Sequence, residues 1–161
     1  MQRFREAIEQ ARASGDGAEV IALLAEDVVF RSPVVYAPYH GRGEVEPLLR
    51  AVVRVFTEFH FVHRLTGADG ADHALVFRAR LGAREVEGCD FLHVDDEGLI
   101  DELYVMVRPL SAAVALSEAM KRELADHARV SGTADALRCG RRSALASRGQ
   151  GRDSSAGRAH D

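Results

Sequence analysis

The sequence predicts an α+β fold in which helices pack on a strongly bent antiparallel sheet to form a cone-shaped α+β barrel. Three observations carry that expectation. Helical periodicity is confined to stretches before residue 57 and after residue 110. Between them, four stretches alternate with period two and are joined by short turns, the pattern of an antiparallel meander. The chain has 161 residues, 47% of them hydrophobic, which suits one domain with a real core.

Each element has a local reason. Phe4, Ile8 and Ala11 follow helical spacing, and Ser14-Gly15-Asp16-Gly17 stops that helix. A second short helix carries Val20, Leu23 and Leu24 to Ala25, and residues 28–30 read as a short strand. Residues 31–43, with Pro33, Tyr36, Pro38, Tyr39 and His40, read as an irregular loop. Helical periodicity returns over 44–56 through Val45, Leu48, Val52 and Phe56, with Pro47 in the first turn, where its missing N–H is tolerated.

Strands follow over 59–66, 73–81, 84–94 and 99–107. The last two flank Asp95-Asp96-Glu97-Gly98 and form a hairpin. Pro109 ends the meander, and Ser111 caps a last helix with Leu116, Met120 and Leu124 at four-residue spacing. The domain is therefore expected over residues 1–127. From 128 to 161 the chain turns rich in Gly, Ser, Ala and Arg, and a disordered tail is expected.

Composition excludes several classes. A net charge of −4 argues against a nucleic-acid partner, which calls for a basic field. No apolar run approaches the roughly 18 residues of a membrane span, and the amphipathic N-terminus lacks a signal-peptide core, so a cytoplasmic location is expected. Cys89 and Cys139 lack metal-ligand spacing and read as free thiols. His60 and His63 are too sparse for zinc, so no metal is expected, and no phosphate-binding glycine loop or other cofactor motif is present. Lys121 is the only lysine.

The candidate chemistry begins at Asp90. On its strand, Val86, Gly88, Asp90, Leu92 and Val94 share one face, which is small or apolar apart from Asp90. A carboxyl there must be paired, hydrogen-bonded or held protonated. Arg31 and Arg108 are candidate partners for Asp90 or Asp101, and such a pairing makes Asp90 structural. Otherwise Asp90 lines a pocket as an acid or base. Phe77, Leu103 and Val105 share the inner face with it. His63 is expected to enter the same cavity through its alternation with Phe59, Phe61 and Leu65, and Tyr36 and His40 are expected to rim the mouth. On the opposite face, Val76, Phe91, Tyr104 and Met106 supply apolar area for a homodimer, unless the last helix of the same chain covers it.

The stretches AEDVVFRSPVVYAPYHGRGEVEPLLRAV and GCDFLHVDDEGLIDELYVMVRP resemble the nuclear transport factor 2-like superfamily, and within it the SnoaL-like domains of bacteria. The resemblance covers about residues 1–124. It implies the cone fold and a pocket for a small hydrophobic, carbonyl-containing molecule, and no single reaction, because the fold hosts isomerases, cyclases, epoxide hydrolases, dehydratases and non-catalytic binders. Asp90 is similar to the protonated aspartic acid donor of the steroid isomerases of this fold. Their tyrosine donor falls near Phe4 and their base near Ser32, neither of which has the required group. SnoaL-type cyclases rely on one pocket aspartate, a part Asp90 can fill. The Asp-Arg-Asp set of limonene epoxide hydrolases finds only Arg78-Ala79-Arg80. Two classes stay open: an enzyme using Asp90 as acid or base, and a dimeric binding module.

Overall fold

The protein is described by a computed structural model covering residues 2–146, with side chains as far as residue 129 except that of Arg12. Helix α1 (Gln2–Ser14) buries Phe4, Ala7 and Ala11, as its spacing requires. Helix α2 (Ala18–Ile21) is a single turn and stops short of Leu24. The chain is already extended there, as β1 (Leu24–Arg31), with Leu24, Val28 and Phe30 buried. The helix expected through Ala25 is thus cut short by a long-range pairing. Ile100 donates its N–H to the Leu23 carbonyl at 2.8 Å, and Leu24 lies opposite Ile100.

A two-residue strand, β2 (Tyr39–His40), forms inside the segment expected to be irregular, by pairing with β1. Helix α3 (Arg42–Val55) starts earlier than its apolar spacing implies, so Pro47 lies inside the helix rather than in its first turn. The meander is β3 (Thr57–Thr66), β4 (Asp72–Leu81), β5 (Arg84–Val94) and β6 (Ile100–Arg108). Asp95 builds the β5–β6 turn, its side chain accepting the N–H groups of Glu97 at 2.9 Å and Leu99 at 2.8 Å. Helix α4 (Leu110–Ala146) follows. It begins one residue before Ser111, and the Pro109 carbonyl, not the Ser111 side chain, takes the first N–H groups, from Ala112 and Ala113.

The six strands form one open, curved sheet in the order β2-β1-β6-β5-β4-β3. Its meander is antiparallel as expected, but β1 joins β6 in parallel, so the sheet is mixed. By its internal contacts the chain divides into two units after Leu124. The tail expected to be disordered from 128 is helical as far as Ala146, and residues 147–161 lie outside the described residues.

One buried cluster joins α1, β1 and α3 to Leu75, Leu92 and Leu103; a second joins Phe56, Phe77, Val86 and Leu116. In the second, the Phe77 ring stacks on Phe59 at 4.8 Å and tilts against Phe56 at 5.9 Å. Phe77 is 1% exposed and sits directly opposite Gly88 on β5. A β-carbon at Gly88 would lie 2.3 Å from the Phe77 ring and 2.7 Å from the Met106 carbonyl oxygen. A glycine inside this strand is therefore required by the ring above it. Gly88→Ala is expected to destabilise the protein by about 1–3 kcal/mol in urea unfolding, with part of the loss recovered when Phe77→Leu is added.

Candidate active site

The inner face of the meander closes on α1, α3 and α4 around a cavity of about 180 Å³. Its lining is mostly apolar, with Phe77 from β4, Leu103 and Val105 from β6, and Leu48 and Val52 from α3. Asp90 enters it from β5, between its neighbours Leu75 and Val105 on the adjoining strands. The alternation on β5 is as expected, with Val86, Gly88, Asp90 and Leu92 all buried.

Asp90 is 8% exposed, and among the described residues no group hydrogen-bonds or pairs with its carboxyl. Both arginines named as candidate partners are engaged elsewhere. Arg31 pairs with Glu102, and Arg108 with Glu87 at 2.9 Å. Burial alone pushes the Asp90 carboxyl up to about 7 from the usual 3.8. Near neutral pH it is divided between acid and carboxylate, the condition under which one group can give and take a proton.

Of the residues expected at the site, Asp90, Phe77, Leu103 and Val105 line the cavity together. Tyr36, His40 and His63 do not. His63 is turned outward by a register shift between Phe61 and His63. Phe61 faces Phe77 on the inner side, and His63 then faces Val76 on the outer side. The extra residue reverses the alternation, and Leu65 follows it outward. A second shift between Thr57 and His60, with Glu58 at φ 49°, turns Phe59 onto Phe77. Tyr36 lies fully in solvent. His40 is exposed because β2 pairs it with Val29 and pairs Tyr39 with the buried Phe30. Tyr39 is therefore the tyrosine that reaches the cavity, its ring stacked at 6.0 Å on Phe30.

The sequence reading missed Tyr39, Ser32, Ser117 and Lys121 as cavity residues. Tyr39 had a usable signal, its alternation with His40, but the partner strand that gives it meaning lies about ten residues upstream. Phe4 and Ser32, the positions the resemblance assigns to a tyrosine donor and a carboxylate base, both line the cavity. Ser32 instead accepts the N–H of Val34 at 3.2 Å.

On the outer face, Phe91 and Tyr104 lie opposite each other with ring centres 6.2 Å apart, beside the exposed Met106 and Leu65. Cys89 on this face is a free thiol, and burial pushes it above the usual thiol range; the side chain of Cys139 lies outside the described residues. Among the described residues, no group of three or more His, Cys, Asp or Glu is placed to hold a metal, and no helix is long and apolar enough to cross a membrane.

A family model described as the SnoaL-like domain matches residues 2–103. No curated protein matches the sequence. Among solved structures, a steroid delta-isomerase from Pseudomonas aeruginosa is 37% identical, with a TM-score of 0.72, over 80% of this chain and 96% of that one. An uncharacterized bacterial protein with a cystatin-like fold, from Silicibacter pomeroyi, is 34% identical, with a TM-score of 0.69, over 80% of this chain and 92% of that one. The epoxide hydrolase/cyclase-like enzyme SalBIII, 20% identical with a TM-score of 0.54 over 66% of this chain and 92% of its own, shares the fold. With its match over residues 2–103 and its open curved sheet, the chain belongs to the SnoaL-like domain family and has the nuclear transport factor 2-like cone fold.

Proposed function

We propose that this protein binds a small hydrophobic molecule carrying a carbonyl group, and acts on it by proton transfer through Asp90. The observation that supports this is a buried carboxyl without a partner among the described residues, set in an apolar cavity. In its acid form Asp90 donates a hydrogen bond to the carbonyl oxygen of a bound ligand. In its carboxylate form it takes a proton from the carbon beside the carbonyl, and the acid so formed returns that proton to another carbon of the enolate or to a leaving oxygen. The chemistry belongs to the isomerase, cyclase or dehydratase class and needs no cofactor. The steroid delta-isomerase among the similar structures supports the class. Phe4 and Ser32 argue against a three-group arrangement of tyrosine, aspartate base and aspartic acid, because neither supplies its group inside this cavity.

The outer sheet face supports a homodimer as the working form. Leu116 and Met120 of α4 pack on the Phe56–Phe77 cluster at the cavity side. Phe91, Tyr104 and Met106 stay exposed, and a second copy is the partner proposed for them. A cytoplasmic location, with no nucleic-acid or membrane partner, is part of the same proposal.

Three kinds of measurement test these readings. In capture from a cell extract, the wild type should retain an apolar carbonyl compound. Asp90→Asn should retain the compound and lose turnover, whereas unchanged turnover would remove Asp90 from the mechanism.

The second measurement uses pH. A native carboxyl titrating near 7 holds a proton that the unfolded chain has already lost, so stability falls as pH rises from about 4 to 7 and then levels. Between pH 5 and pH 8, Asp90→Asn should gain about 3 kcal/mol on the wild type in urea unfolding. Over pH 6 to 8, wild-type affinity for 2-acetylnaphthalene should fall about tenfold as the donor form is lost, and that of Asp90→Asn should stay flat.

Third, light scattering at tens of micromolar should give twice the 17.6 kDa chain mass. Tyr104→Glu should halve it, and a wild-type monomer would reject the dimer.

A further inference from the structure

The cavity has a second ionisable feature that the Asp90 chemistry does not use. Helix α4 contributes Leu116, Met120 and Leu124 at four-residue spacing, and beside them Ser117 and Lys121, also four apart. Leu116 is 3% exposed, Ser117 and Met120 are half-buried, and Lys121 is exposed. Lys121 both lines the cavity and is exposed, so the cavity reaches solvent beside it. A lysine there covers apolar surface with its stem and keeps its ammonium at the opening.

This lysine is the only one in the chain and, among the described residues, the only cationic side chain lining the cavity. Among the described residues it is also unmatched. No ion pair joins it to Glu118, Glu123 or any other acid of residues 2–124, and Glu123 is engaged by Arg54 at 3.1 Å. Nearby arginines of α3 are matched, Arg50 with both Glu46 and Asp16. The cavity therefore carries one acid, from β5, and one cation without an ion-pair partner among the described residues, from α4, in an otherwise mostly apolar lining. Its volume, about 180 Å³, holds a ring-sized apolar group and little more. A larger ligand must leave its remaining part at the mouth.

We propose that the ligand is amphipathic, an apolar keto acid whose carbonyl end enters the cavity and whose carboxylate meets Lys121 and Ser117 at the opening. The inference rests on the reading of Asp90 as a carbonyl-binding acid and adds the chemical class of the molecule. One ammonium matches one negative charge. A phosphate dianion would leave charge uncompensated, with no second cation among the described residues lining the cavity. Lys121 is here a specificity-determining residue, acting on which molecule is held and not on the proton transfer.

The test compares 5-(2-naphthyl)-5-oxopentanoate with its methyl ester, which differ only in the charge at the far end. In titration calorimetry at pH 6, the wild type should bind the acid about fivefold more tightly than the ester. Lys121→Met should remove that preference by weakening the acid, with an unchanged thermal melt as the check on folding. Lys121→Arg should keep the preference, and Lys121→Glu should reverse it. In 0.5 M salt the wild-type preference should shrink. Equal binding of acid and ester by the wild type, or a preference that survives Lys121→Met, would overturn the inference and leave the Asp90 reading standing. Binding of neither probe would overturn both.

Discussion

A carboxyl held in an apolar enclosure without a partner is the constraint on which the rest of this molecule turns. Asp90 is almost wholly buried, and among the described residues it receives no hydrogen bond and has no cation beside it. A group so placed costs the native state stability at every pH at which it is ionised. The surroundings maintain that cost: the arginines within reach of this part of the sheet are tied to Glu102 and Glu87 on its outer side. An architecture that separates an acid from its natural partners keeps that acid available to something else. Locally unfavourable groups held by a well-packed frame are a recurrent property of reactive sites.

The frame that does this is a bent sheet with an aromatic cluster at its inner end. Phe56, Phe59, Phe61 and Phe77 meet at distances between 4.8 and 6.4 Å, and they meet because β3 is irregular in two places. Each register shift re-aims the side chains after it. The first brings Phe59 over Phe77 and sets Phe61 inside, and the second turns His63 outside. Gly88 removes the one β-carbon that would collide with the ring opposite it. A similar shift between His93 and Val94 buries Ile100 and frees Asp101 to meet His93 Nδ1 at 2.6 Å, which holds the imidazole above its ordinary range. The curvature, the cavity and the identity of its lining residues follow from these small departures from regular pairing.

Much of the candidate site was visible one residue at a time. Asp90 was legible because a strict alternation on β5 left a single polar residue among Val86, Gly88 and Leu92, and Phe77, Leu103 and Val105 were legible for the same reason. His63 was misplaced by the same rule, since alternation counts residues and cannot detect an extra one in a strand of plausible composition. Tyr36 and Tyr39 are equivalent in a segment read as a loop; only pairing with Phe30 chooses between them. The α4 residues were seen as an apolar stripe, but which surface the stripe covers depends on where the helix packs.

By itself the sequence determined the order of the helices and of the meander strands, the Asp95 turn, the inner face of β5 and the family resemblance, because periodicity and turn chemistry act between near neighbours. Only the tertiary structure decided that β1 pairs in parallel with β6, that Tyr39 replaces Tyr36 at the cavity, that His63 faces out and that Asp90 has no partner among the described residues. Each of these depends on contacts between segments far apart in the chain, and on register shifts whose energy comes from packing across the sheet. Local pattern carries no information about which distant side chain will arrive, and for a buried acid that arrival, or its failure, sets the chemistry.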